Sequence, residues 1–165
     1  MEVGEGKVWL RQLMARADEP ERLERVLLHE LTHVVLADRF SSKRIPRWAD
    51  EGIAVLSEPA ARRQTQRVWL RDEVASRRHW SLQAVLTVRD YPQDARQADL
   101  FYAQSAAWIE FLVSKRQHTE RDVVRFIEAT QRQPLAEAVR ESFPDESLET
   151  LETAWVNWLR APKPE

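Results

Sequence analysis

Residues 29–33 read His29-Glu30-Leu31-Thr32-His33, two histidines four positions apart with a glutamate beside the first. On an α-helix, positions four apart lie about 40° from each other around the axis and one turn along it. Both imidazoles then point the same way and can share one metal ion. Glu30 sits next to them, where a carboxylate can accept a proton from the ion's water without being a ligand. At this chain's own composition the pattern arises by chance about 0.01 times. The competing reading is a pair of core histidines satisfied by hydrogen bonds.

The next apolar segment bears on that choice. Residues 46–54 read Pro46-Arg47-Trp48-Ala49-Asp50-Glu51-Gly52-Ile53-Ala54, and 17 residues separate His33 from Glu51. Two histidines and one carboxylate leave a fourth position for water, the arrangement of a catalytic rather than a structural zinc site. Taken alone, Glu51 is equally a solvated helix charge, but Trp48, Ile53 and Ala54 argue for burial. Asp50 has two readings, a surface carboxylate or a hydrogen-bond partner for a ligand histidine. Gly52 falls mid-helix, where it costs about 1 kcal/mol relative to Ala. It predicts a very close neighbour, with the helix that carries His29 and His33 as the expected one.

Composition narrows the alternatives. The chain has 165 residues, four histidines and no cysteine, a length that suits one domain with a real core. Without cysteine there is no disulfide framework, thiolate zinc site or thiol nucleophile, so a metal must be held by histidines and carboxylates. A net charge of −2 implies no dominant electrostatic partner. No run approaches the ~18 apolar residues of a membrane span. Met1 to Gly6 are acidic and contain glycine, unlike a signal peptide. As the chain stands a soluble, cytoplasmic protein is expected, with an extracytoplasmic one open if the chain is a piece of something longer.

The elements that must position these residues are helical. Only three glycines are present and strand-like runs are scarce, so hairpins have little to turn on. The expected fold is mainly α, a compact helical domain over 19–160. Ahead of it, 1–18 form an N-terminal segment with one strand or sheet remnant at Lys7–Gln12, and 161–165 form a tail. The first helix is predicted from Asp18, with Glu21 as capping-box partner, to Asp38. Leu23, Val26, Leu27, Leu28, Leu31, Val34, Val35 and Leu36 nearly encircle it, which predicts a buried helix. A second helix runs from Pro46 to before Pro59, and an arginine-rich one from Ala60 to Arg78. Ser81–Thr87 make a short turn. Further helices are expected at Ala98–Lys115, Thr119–Gln131, Pro134–Ser142 and Ser147–Arg160, the caps including Thr119 and Ser147. His79 and His118 read as surface or capping residues.

H-E-x-x-H followed after 17 residues by W-x-x-E-G-x-A resembles the signature of gluzincin zinc metallopeptidases. The nearest likeness is to peptidase-MA-like domains, then to the zinc aminopeptidases and, more distantly, to thermolysin. It extends at lower specificity through Trp80-Ser81-Leu82-Gln83 and Leu148–Leu159, about 20–160 in all. The resemblance implies a zincin-like catalytic domain with one Zn²⁺ held by His29, His33 and Glu51, and with Glu30 as general base. Tyr102-Ala103-Gln104-Ser105 is similar to the Y-x-K-G of the aminopeptidases, which implies that Tyr102 stabilises the oxyanion. By its own residue type Tyr102 is equally a half-buried core tyrosine. Gln104-Ser105 departs from the K-G of that motif. The aminopeptidases' G-x-M-E-N segment has no counterpart before His29, and 28 residues leave no room for an upstream β-subdomain.

Two functions are therefore carried forward. One is a zinc metallopeptidase acting on a peptide or protein. The other is a zinc-binding, catalytically weak or inactive peptide-binding or structural module, for which Glu30 has no use. A nucleic-acid partner is not expected: Arg62, Arg63, Arg67, Arg71, Arg77 and Arg78, interleaved with Trp69 and Trp80, fit a solvated helix face better.

Overall fold

The computed structural model describes residues 2–4, 7–10, 20–41, 43–115 and 119–161. Eight helices run through them: α1 (Pro20–Arg39), α2 (Arg47–Leu56), α3 (Ala60–Ala75), α4 (Leu82–Leu86), α5 (Ala95–Lys115), α6 (Glu120–Arg132), α7 (Leu135–Ser142) and α8 (Leu148–Arg160). Two short strands, β1 (Glu2–Gly4) and β2 (Lys7–Leu10), pair antiparallel with Val3 opposite Val8 and Gly4 opposite Lys7. The sequence suggests only the second of these, and its expected end at Gln12 lies outside the described residues, as does the Asp18 cap. The domain is a compact helical one, as expected.

Local chemistry sets the helix starts. Pro46, Pro59 and Pro134 stand immediately before α2, α3 and α7, each at the N-cap with φ between −58° and −54°. A proline there supplies a preset backbone and lacks an N–H that would have no partner. Ser147 and Thr150 cap α8 reciprocally, the Thr150 N–H donating to Ser147 Oγ at 3.2 Å and the Ser147 N–H to Thr150 Oγ1 at 2.9 Å. The arginine-rich helix stops at Ala75, three residues earlier than its pattern suggests. There Arg77 takes a left-handed φ of 55°, and the Arg78 N–H closes the end on Glu73 O at 2.9 Å.

The centre of the molecule is α5, which packs against α2, α3, α4, α6 and α8. Leu100, Phe101, Trp108, Ile109, Phe111 and Leu112 bury sides all around it, and Ala103, Ala106 and Ala107 let its neighbours come close. Trp108 meets Trp155 of α8 edge to face at 6.2 Å.

The expected burial of α1 is not what the structure shows. His29 and His33 turn towards α2, the main neighbour of α1, and Leu36 is buried, whereas Leu27, Leu28, Leu31 and Val35 are 38–65% exposed. An apolar circumference states that a helix can be covered on all sides. It does not state how many neighbours come.

Candidate metal centre

α1 and α2 cross so that three donor groups converge. The His29 and His33 rings lie 4.9 Å apart at 75° to each other. Their Nε2 atoms are 3.5 and 3.6 Å from the same oxygen, Oε2 of Glu51. Glu51 is buried, 5% exposed, and one donor atom from each of the three residues lies within 4.8 Å of the others. A tetrahedral ion at 2.0–2.1 Å from its ligands spaces them about 3.4 Å apart, so the chemistry and spacing of this set fit one ion.

Each donor also has an outer partner. His33 Nδ1 is 2.7 Å from Asp50 Oδ1 and His29 Nδ1 is 3.1 Å from Glu58 Oε1. The Tyr91 hydroxyl donates to the other oxygen of Glu51, Oε1. With their Nδ1 atoms engaged, both imidazoles present Nε2 inwards. The sequence favours a surface carboxylate for Asp50, and the fold instead places it on a histidine. Glu58 and Tyr91 carry no signal in the sequence. Glu58 follows the end of α2, and Tyr91 sits in the connection between α4 and α5, where no periodicity marks it.

The electrostatics follow from these contacts. Hydrogen bonds to Glu51 and Glu58 favour the charged imidazole of His29 more than burial opposes it, so its pKa is pushed up to about 9. Burial opposes charge on His33 as well, but the Asp50 hydrogen bond and the Asp50 and Glu51 charges outweigh it, and the net shift is upward. For Glu51, burial is overcome by hydrogen bonds to His29 and Tyr91 and by the two imidazoles, which hold its carboxyl below the usual range. The constellation is thus made to hold positive charge against a buried carboxylate, a proton or a metal cation alike.

Beside His29 opens a cleft of about 250 Å³, lined among others by Glu30, Glu58, Arg62, Asp99 and Tyr102. Glu30 is half-buried at its edge. Tyr102, on α5, is half-buried too. Its hydroxyl's pKa is raised, first by burial and then by the charges of Glu51 and Asp99. The structure therefore brings His29, Glu30, His33, Glu51 and Tyr102 to one locality. Larger depressions of about 370 and 330 Å³ lie elsewhere, by α3 and α8 and by α6 and α7, and hold none of these residues.

A family model for the peptidase MA superfamily matches residues 17–161. The chain belongs to that superfamily. Searches of curated proteins and of solved structures give no significant match. Gly52 does have a very close neighbour, but it is α5 and not the His29 helix: a Cβ there would lie 2.7 Å from Ser105 O and 2.8 Å from Ile109 Cδ1. Gln104, standing where the aminopeptidases have lysine, is fully buried. It clamps the Trp80 backbone, accepting its N–H and donating to its carbonyl, both at 2.9 Å. The α3 arginines meet partners inside the domain: Arg62 donates to Glu58 at 2.9 Å, and Arg67 donates to Glu110 at 3.0 Å while stacking over Trp158. His79 is half-buried between α3 and α4, burial lowering its pKa, and is not a helix cap. His118 lies outside the described residues. No described helix is long and apolar enough to cross a membrane.

Proposed function

We propose that this peptidase MA domain is a zinc-dependent metallopeptidase, with residues 19–160 as its catalytic unit. The observation that carries the reading is the convergence of two Nε2 atoms on one Glu51 oxygen beside a cleft that Glu30 lines. In this reading His29, His33 and Glu51 hold the ion. Zinc in such a set supplies a Lewis acid that polarises a carbonyl and brings a water's pKa to about 7.

The chain's own groups do the rest. Glu30 takes the proton from the water that attacks the peptide carbonyl, and returns it to the leaving nitrogen. Tyr102 donates a hydrogen bond to the oxyanion, as its resemblance to the aminopeptidase tyrosine implies. Asp50 and Glu58 fix the tautomer and direction of the two imidazoles.

The test separates binding from chemistry. Purified protein should carry about one zinc per chain and cleave peptides, and Glu30→Gln should keep the zinc while turnover falls about 10²–10⁴-fold. Undiminished cleavage by Glu30→Gln refutes the base assignment. Zinc binding without cleavage of any peptide in a broad panel favours the inactive module instead.

A further inference from the structure

The two oxygens of Glu51 are treated differently by the fold. Oε2 faces both histidines, while Oε1 accepts the Tyr91 hydroxyl. A buried carboxylate oxygen left without a partner is costly, and the cheapest partner near a cation is the cation itself. A glutamate free to turn would therefore chelate with both oxygens and fill a position that water and substrate need.

Tyr91 is itself held in place. Arg47 lies one helical turn before Glu51 on α2, and its guanidinium sits over the Tyr91 ring at 3.9 Å. Arg47 Nε also donates to the Arg89 carbonyl at 2.8 Å, and Gln93 Nε2 to the Tyr91 carbonyl at 3.2 Å, so the backbone on both sides is tied. One face of α2 thus grips this tyrosine twice, at its ring through Arg47 and at its hydroxyl through Glu51. The Tyr102 ring stands 6.4 Å away, leaving the two tyrosines adjacent but differently employed.

We infer that Tyr91 is a positioning residue that keeps Glu51 a one-oxygen ligand and so keeps the metal centre open for chemistry. This rests on the metallopeptidase reading of the site and adds a role that the sequence did not indicate.

The experiment uses the full chain stripped of metal and reloaded with Zn²⁺ under a competing chelator, and separately with Co²⁺, whose visible absorption reports coordination number. Wild type should give the intense bands of four-coordinate cobalt. Tyr91→Phe should bind zinc about 10–100-fold more weakly and show the weaker bands of a five-coordinate ion, as Glu51 turns to chelate. If wild type takes up neither metal, the metallopeptidase reading fails and this inference with it. If wild type binds both and Tyr91→Phe matches it in affinity and spectrum, the inference alone is overturned. The same holds if only kcat falls, because Tyr91 would then act on substrate. Should Tyr91→Phe not fold, Arg47→Gln probes the same link: zinc affinity should fall about two- to five-fold with cobalt absorption weakened, and unchanged values overturn the inference.

Discussion

Each of the three grouped side chains is held from behind, His29 by Glu58, His33 by Asp50 and Glu51 by Tyr91, so rotamers that would scatter in water are fixed. Tyr102 differs from these partners. It faces the cleft rather than a donor, and its raised pKa keeps the phenol protonated and able to donate. Tyr102→Phe should therefore leave zinc affinity at the wild-type value while kcat falls about 10²–10³-fold, measured by chelator competition and steady-state kinetics. A wild-type rate would remove the oxyanion role. The His29–His33 pair, with Glu30 beside it, was legible in the sequence because one helical turn fixes the geometry between residues four apart. Glu58 and Tyr91 were not legible, since they approach from a helix end and an irregular connection, and nothing local announces where such residues point.

At the scale of elements, the centre depends on how α2 is seated between α1 and α5. Trp48 and Ala49 of α2 are fully buried, and Gly52 lets its backbone come against the Ser105 carbonyl, so the helix carrying Glu51 cannot slide. Gly52→Ala places a Cβ 2.7 Å from a backbone oxygen that has no rotamer to escape into. Such overpacking costs about 1–3 kcal/mol, and the better helix propensity of alanine offsets at most about 1 kcal/mol of it. A urea titration should show a lower midpoint, and zinc affinity should fall with it as Glu51 shifts. Equal stability would mean that α2 and α5 give way easily. The glycine's meaning could be read from the sequence, as a demand for close approach. Its partner could not, because α5 enters from about fifty residues downstream. The exposed Leu31 and Val35 mark the same limit: periodicity identifies a helix but not which of its faces is met.

Across the whole molecule the charges nearly balance, and the consequential ones are inside. Besides the candidate metal centre, Glu73 is buried at 4% exposure and joins distant parts of the chain. Arg78, in the turn after α3, donates to both its oxygens at 3.1 and 3.0 Å, and Arg96 from the first turn of α5 also donates to it. The Arg78 hydrogen bonds, aided by Arg96 and opposed by burial, hold the Glu73 carboxyl below its ordinary value of 4.5. A carboxyl whose pKa is lowered on folding stabilises the fold above its unfolded value and loses that contribution as pH falls through the lowered one. Glu73→Gln should therefore lower Tm by a few degrees at pH 7, because a neutral amide loses the charge and has one accepting oxygen where the carboxylate has two, so that its N–H₂ faces a guanidinium donor. Below about pH 4.5 the difference should shrink as wild type protonates, and the two Tm–pH curves should converge. Parallel curves down to acid pH would mean that Glu73 acts through packing alone, and the link from the end of α3 to the start of α5 would not be ionic.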